Sequence, residues 1–145
     1  MSGRRNGRGR TPRVRDTVVD SYALLAFLRG EKGSSAVTEL LEAALRAGRR
    51  VAISSVNWAE VKYMVQRKMG TASWQAVREK LLGLPLDVVP VDRALAEEAA
   101  TLKAIRKMSL ADCFAAALAM SRQADLYTGD PEFREVERQI RIVWI

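Results

Sequence analysis

Residues 16–31 read DTVVDSYALLAFLRGE, and the switch they contain sets the class of the whole chain. Thr17, Val18 and Val19 are consecutive β-branched residues, the composition of a short strand covered on both faces. The run stops at Asp20, and residues 22–29 then space their apolar side chains as a helix does, up to Gly30. The same alternation repeats along the chain. After a polar break with Gly30 and Gly33, residues 35–47 carry Val37, Leu40, Leu41, Ala44 and Leu45 at helical spacing, ended by Gly48. Val51–Ser54 reads as a second strand, followed by a helix over 56–69 closed by Gly70 and another over 73–82. Leu86–Val89 is a third strand, and Asp92 caps a helix running to Arg106. Residues 110–123 form an alanine-rich helix that is apolar on nearly every side, hence buried. Leu126–Thr128 reads as a strand, Pro131–Glu137 as a helix and Ile140–Trp144 as the closing strand. The expected fold is α/β, a single domain over residues 16–145 with a mainly parallel central sheet and helices on both faces.

Composition narrows the chemistry. The 145 residues include no histidine and one cysteine, Cys113. A serine–histidine–aspartate triad, a cysteine–histidine pair, an imidazole-ligated metal, an intramolecular disulfide and a cysteine-cage zinc site are all excluded. Carboxylates, hydroxyls, lysines and arginines must carry any reaction, and hard cations held by oxygen are the natural cofactor. The net charge of +7 is concentrated at one end: Arg4, Arg5, Arg8, Arg10, Arg13 and Arg15 all precede the first acid, Asp16. Without them the 24 basic residues fall to 18 against 17 acidic ones, so the body argues for no nucleic-acid partner by charge alone. Residues 1–15 read as a basic, disordered tail. No uncharged stretch exceeds nine residues, as in 113–121, far short of the ~20 that span a bilayer. The start has no apolar segment of a secretory signal, and the expected location is cytoplasmic.

In open α/β sheets ligands sit beyond the carboxyl ends of the strands. Asp20 closes the first strand, Glu60 lies early in the helix after the second, Asp112 in the first turn of the alanine-rich helix, and Asp130 just after Thr128. Each acid has a structural explanation by itself. Asp20 is a natural N-cap, Asp112 follows Ser109 at capping-box spacing, Asp130 precedes Pro131 as a cap does, and Glu60 could be a solvated helix residue. Their neighbours shift the weighing. Glu60 has Val56, Asn57, Tyr63 and Met64 three and four residues away, and Asp112 has Met108, Ser109, Ala115 and Ala116. Asp20 runs into Ser21, Tyr22, Ala23 and Leu24. Acids entering apolar surroundings without a cation are costly, and a divalent ion resolves the cost for all of them together. Asp130 is the exception, with Arg134 four residues on. Clustered carboxylates of this kind suit Mg²⁺ or Mn²⁺ and phosphodiester hydrolysis by activated water, with Thr128 and Ser109 as supporting hydroxyls.

The segments VVDSYALLAFLRGE (18–31), AISSVNWAEV (52–61), MSLADCFAAALA (108–119) and LYTGDPEF (126–133) resemble the PIN-domain ribonucleases, in particular the VapC toxins of bacterial toxin–antitoxin modules. The likeness runs in order over residues 16–145. It implies that Asp20, Glu60, Asp112 and Asp130 are metal-binding catalytic acids, and that Thr128 and Ser109 stand where the family has supporting hydroxyls. It further implies endonucleolytic cleavage of single-stranded RNA regions with Mg²⁺ or Mn²⁺. Homodimerisation and a hetero-oligomer with a cognate VapB-like antitoxin, packed over the active-site groove, are implied as well. The arginine tail is a departure, because compact members begin almost at the first strand.

Other α/β phosphate chemistries fail on missing residues. A phospho-acceptor receiver wants two adjacent acids after the first strand and a lysine late in the chain, where this one ends IRIVWI. A haloacid-dehalogenase phosphatase wants D-x-D, but Ser21 and Tyr22 follow Asp20, and GEKGSSA (30–36) lacks the lysine of a P-loop. The surviving alternative is a catalytically silent PIN-like module that binds RNA or protein.

Overall fold

In the computed structural model, which describes residues 15–145, Val18 and Val19 are both fully buried and face opposite sides of the sheet. They belong to β1 (Thr17–Val19), the middle strand of a five-stranded sheet. Beside it lie β2 (Val51–Ser54), β3 (Leu86–Val89), β4 (Asp125–Thr128) and β5 (Ile142–Trp144), in the order β3-β2-β1-β4-β5. Every pairing is parallel, with Val18 opposite Ala52 on one side and Leu126 on the other. The tail expected over residues 1–15 lies, apart from Arg15, outside the described residues.

Parallel neighbours require crossovers, and helices supply three of them. Between β1 and β2 run α1 (Ser21–Arg29) and α2 (Ser34–Arg46). Between β2 and β3 run α3 (Ser55–Met69) and α4 (Ser73–Leu82), and between β3 and β4 run α5 (Arg93–Ile105) and α6 (Leu110–Arg122). Alternation along the strands divides the core in two. Val19, Val51 and Ile53 pack with Leu24, Leu41, Val61 and Leu81 of the first four helices. Val18, Ala52 and Leu126 pack with Leu95 and Ala99 of α5, and with Cys113 and Ala115–Ala119 of α6. The alanines let α6 lie close over β1, β2 and β4. Among the described residues no helix is long and apolar enough to cross a membrane.

The last crossover departs from expectation. Residues Pro131–Val136 wind as a 3-10 helix rather than an α-helix. Phe133 and Val136, three apart, are therefore eclipsed on one side, and both are fully buried against the α5–α6 core. The N–H groups of Gln139 and Ile140 both return to the Val136 carbonyl, at 3.0 and 3.1 Å. Ile140 is thereby turned into the core, and β5 begins at Ile142 instead of Ile140.

Candidate metal centre

The strand order reverses at β1: β2 and β3 extend the sheet one way, β4 and β5 the other. The crevice at this switch point is where such a sheet binds ligands. Asp20 leaves the end of β1 there and Thr128 ends β4. Asp20 is 1% exposed, and both of its oxygens are held. Oδ1 accepts from the Ala23 N–H at 2.9 Å as the N-cap of α1, and Oδ2 accepts from the Thr128 hydroxyl at 2.5 Å. The expected cap and the expected site residue are thus the same carboxylate. Thr128 Oγ1 also accepts the Asp130 N–H at 3.0 Å, tying the two acids together across the switch.

Ser109 caps α6, its hydroxyl accepting the Asp112 N–H at 3.2 Å. In a complete capping box the Asp112 side chain would return to the Ser109 N–H. Glu132 takes that place, its Oε2 accepting the Ser109 N–H at 3.0 Å. Asp112 is left free to face the crevice, where single carboxylate oxygens of Asp112, Asp130 and Glu132 lie within 4.8 Å of one another. Asp130 caps the 3-10 helix, Oδ1 accepting from the Glu132 N–H at 2.9 Å.

Glu60 approaches from α3. Its Oε1 accepts from the Ser21 hydroxyl at 2.7 Å and from Asn57 Nδ2 at 3.2 Å. Asn57 is itself fully buried, and the same amide nitrogen reaches the Ala111 carbonyl at 3.2 Å, so α3 and α6 are joined beneath Glu60. Glu60, Asp112, Asp130, Glu132 and Ser109 line one open cleft of about 450 Å³, together with Tyr22, Leu25 and Met64.

The electrostatics match a cation site. Burial pushes Asp20 up to about 7, against the lowering hydrogen bonds of Thr128 and Ala23, and the charges of Asp130 and Glu60 add to the rise. Burial also pushes Asp112 up to about 9, helped by a proton shared with Glu132 and by the charges of Asp130 and Asp20. Glu132 moves down, chiefly through that same bond from Asp112. Among the described residues, the ion pairs involve Asp16, Asp87 and Asp125, and none involves these acids. Oxygen-only donors, crowded and in no ion pair although Arg29 lines the same cleft, fit a hard divalent ion.

All four acids and both hydroxyls singled out in the sequence therefore gather at this switch point. One detail is corrected. Arg134 forms no ion pair with Asp130, because in a 3-10 helix the fourth residue on points about 120° away. Arg134 instead lines a separate pocket with Arg106 and Arg138. Sequence reasoning missed Glu132 and the bridging Asn57. Glu132 carried a signal in the third position after Gly129 of the same TGDPEF turn, but an α-helix over 131–137 gave it no role.

An acidic switch point in a wholly parallel five-stranded sheet defines a class of carboxylate-site α/β domains. The family model of the PIN domain matches residues 17–139, and the chain belongs to the PIN-domain family. No curated protein matches the sequence significantly. Solved structures do match in fold. A toxin–antitoxin complex from Klebsiella pneumoniae is 19% identical with a TM-score of 0.68, over 88% of this chain and 96% of that one. A DNA-bound VapBC from Salmonella typhimurium is 21% identical with a TM-score of 0.69, over 90% and 98%. A sarcin–ricin loop cleaving VapC toxin from Mycobacterium tuberculosis is 20% identical with a TM-score of 0.61, over 82% and 93%.

Proposed function

We propose that this protein is a metal-dependent endoribonuclease, the toxin of a toxin–antitoxin pair. The observation that carries the reading is the set of acids at the switch point, drawn together without an ion-pair partner inside a PIN domain. Asp20, Glu60, Asp112 and Asp130 would hold one or more Mg²⁺ or Mn²⁺ ions, with Glu132 as a fifth acid and Thr128 and Ser109 as the hydroxyls that orient them. Such an ion supplies Lewis acidity, making water a stronger nucleophile and stabilising charge on a phosphodiester. The protein's own part is positioning. Thr128 and Ala23 fix the Asp20 carboxylate, and Ser21 and Asn57 fix Glu60 by one oxygen while Oε2 has no hydrogen bond among the described residues. The 3-10 helix presents Asp130 and Glu132 from a base anchored by Phe133 and Val136.

The solved complexes that share the fold pair their toxins with antitoxins, which supports a VapB-like partner and a hetero-oligomer here; a homodimer within it and a cytoplasmic location are part of the same proposal. Retention of every acid speaks against a catalytically silent module. The test is to express wild type and Asp112→Asn in a bacterial host and map new RNA 5′-phosphate ends. Discrete ends with wild type alone are expected; identical maps from the two proteins would sink the reading. Titration of Mn²⁺ into the purified proteins then separates a missing RNA target from an inert site.

A further inference from the structure

Tyr22 lies one residue beyond Ser21 on α1 and lines the same cleft as Glu60, Asp112, Asp130 and Glu132, yet none of the metal chemistry uses it. Tyr22 is 43% exposed, whereas its neighbours at the start of the helix, Ser21 and Ala23, are buried. The ring also lies close over the backbone at Gly129. A side chain on Gly129 would put Cβ 2.3 Å from Tyr22 Cε1, 2.7 Å from Cζ and 3.0 Å from Cδ1. Residue 129 must therefore be glycine for the ring to sit where it does, against the backbone between Thr128 and Asp130. Leu25 and Met64 add apolar surface to the same cleft. An aromatic surface left partly open beside the acid cluster, packed over the Gly129 backbone, is a platform for a flat ligand.

We infer that Tyr22 stacks on an unpaired base next to the phosphodiester held at the acid cluster, and so selects single-stranded RNA. The inference rests on the ribonuclease reading for the identity of its ligand. A base in a duplex has its faces covered by its neighbours, whereas an unpaired base offers one to the ring whatever its identity. Tyr22 thus favours unpaired RNA and is indifferent to sequence. The hydroxyl plays no part.

The test uses the full chain with Mn²⁺ and a short single-stranded RNA carrying one 2-aminopurine, whose fluorescence is quenched on stacking. Wild type is expected to quench the probe and Tyr22→Phe to match it. Tyr22→Ala loses the quench and binds about tenfold more weakly, the scale of one lost base–aromatic stack, while its Mn²⁺ affinity and far-ultraviolet circular dichroism stay as in wild type. Gly129→Ala, which displaces the ring without removing it, also loses the quench. Absence of quenching in wild type, or RNA affinity unchanged in Tyr22→Ala as expected if the ring serves a protein partner, overturns the inference even if RNA is cut. Quenching lost in Tyr22→Ala by a protein that cuts no RNA upholds the platform and refutes the nuclease reading instead.

Discussion

Asp20→Asn removes a charge from the centre of the site and keeps the shape of the side chain. In the folded chain burial pushes the Asp20 carboxyl from its ordinary 3.8 to about 7. The stability that its proton confers is whole below pH 3.8 and is lost as pH rises to about 7. At 1.36 kcal/mol for each pH unit, the loss reaches about 4 kcal/mol above pH 7. An amide does not ionise and escapes it. In exchange, the amide has one acceptor oxygen where the carboxylate has two, so one of the bonds from Thr128 and Ala23 is lost, at about 2 kcal/mol. The metal-free variant should therefore be more stable than wild type by about 2 kcal/mol near pH 8, a rise in Tm of roughly 6 °C. Near pH 4 the advantage should vanish or change sign. Urea unfolding followed by circular dichroism in EDTA, at a series of pH values, measures this directly. With Mn²⁺ at a hundredfold excess over its Kd the order should invert, because wild type gains about 2.7 kcal/mol from binding and the variant less. A difference between the two proteins that stays flat with pH in EDTA would refute the burial of an uncompensated acid.

Thr128→Val preserves volume but leaves Asp20 Oδ2 and the Asp130 N–H without their shared hydroxyl, so chemical unfolding should show a loss of about 2 kcal/mol. Glu132→Gln replaces the acid that shares a proton with Asp112, and the Asp112 carboxyl should then titrate below the value of about 9 it has beside Glu132. Carbon-detected NMR reads that midpoint, and an unmoved midpoint counts against the pairing. Because Asp20 and Asp112 hold protons up to about 7 and about 9, Mn²⁺ must displace them. Calorimetry in buffers of different ionisation heat should register proton release on binding, with affinity rising as pH increases over that window.

The path from strand to acid was legible because it is local. Three β-branched residues ending on Asp20, or Ser109 preceding Asp112 by one helical turn, depend only on near neighbours. The convergence of four acids then followed from a rule about parallel sheets rather than from any pairwise signal. What escaped was set by tertiary contacts. Glu132 serves the site by capping a helix 23 residues before it, and it can do so only because Phe133 and Val136 draw the segment into a 3-10 helix. The apparent partnership of Asp130 with Arg134 assumed α-helical winding and disappeared with it. Asn57 looked like one more polar helix residue; its fixed role comes from Ala111, 54 residues away, offering a carbonyl where α3 and α6 meet.

The strand order also fixes the sequence in which the acid site can assemble during synthesis. β1 leaves the ribosome well before its neighbour β4, and the Thr128–Asp20 bond joins residues 108 apart. A nascent chain can pair β1, β2 and β3 and dock the first four helices while the other flank of β1 stays open. Asp20 and Glu60 are then folded, with Asp112, Asp130 and Glu132 still to come. A site assembled in this order stays incomplete until the second half of the chain has delivered its remaining acids to the open flank of β1.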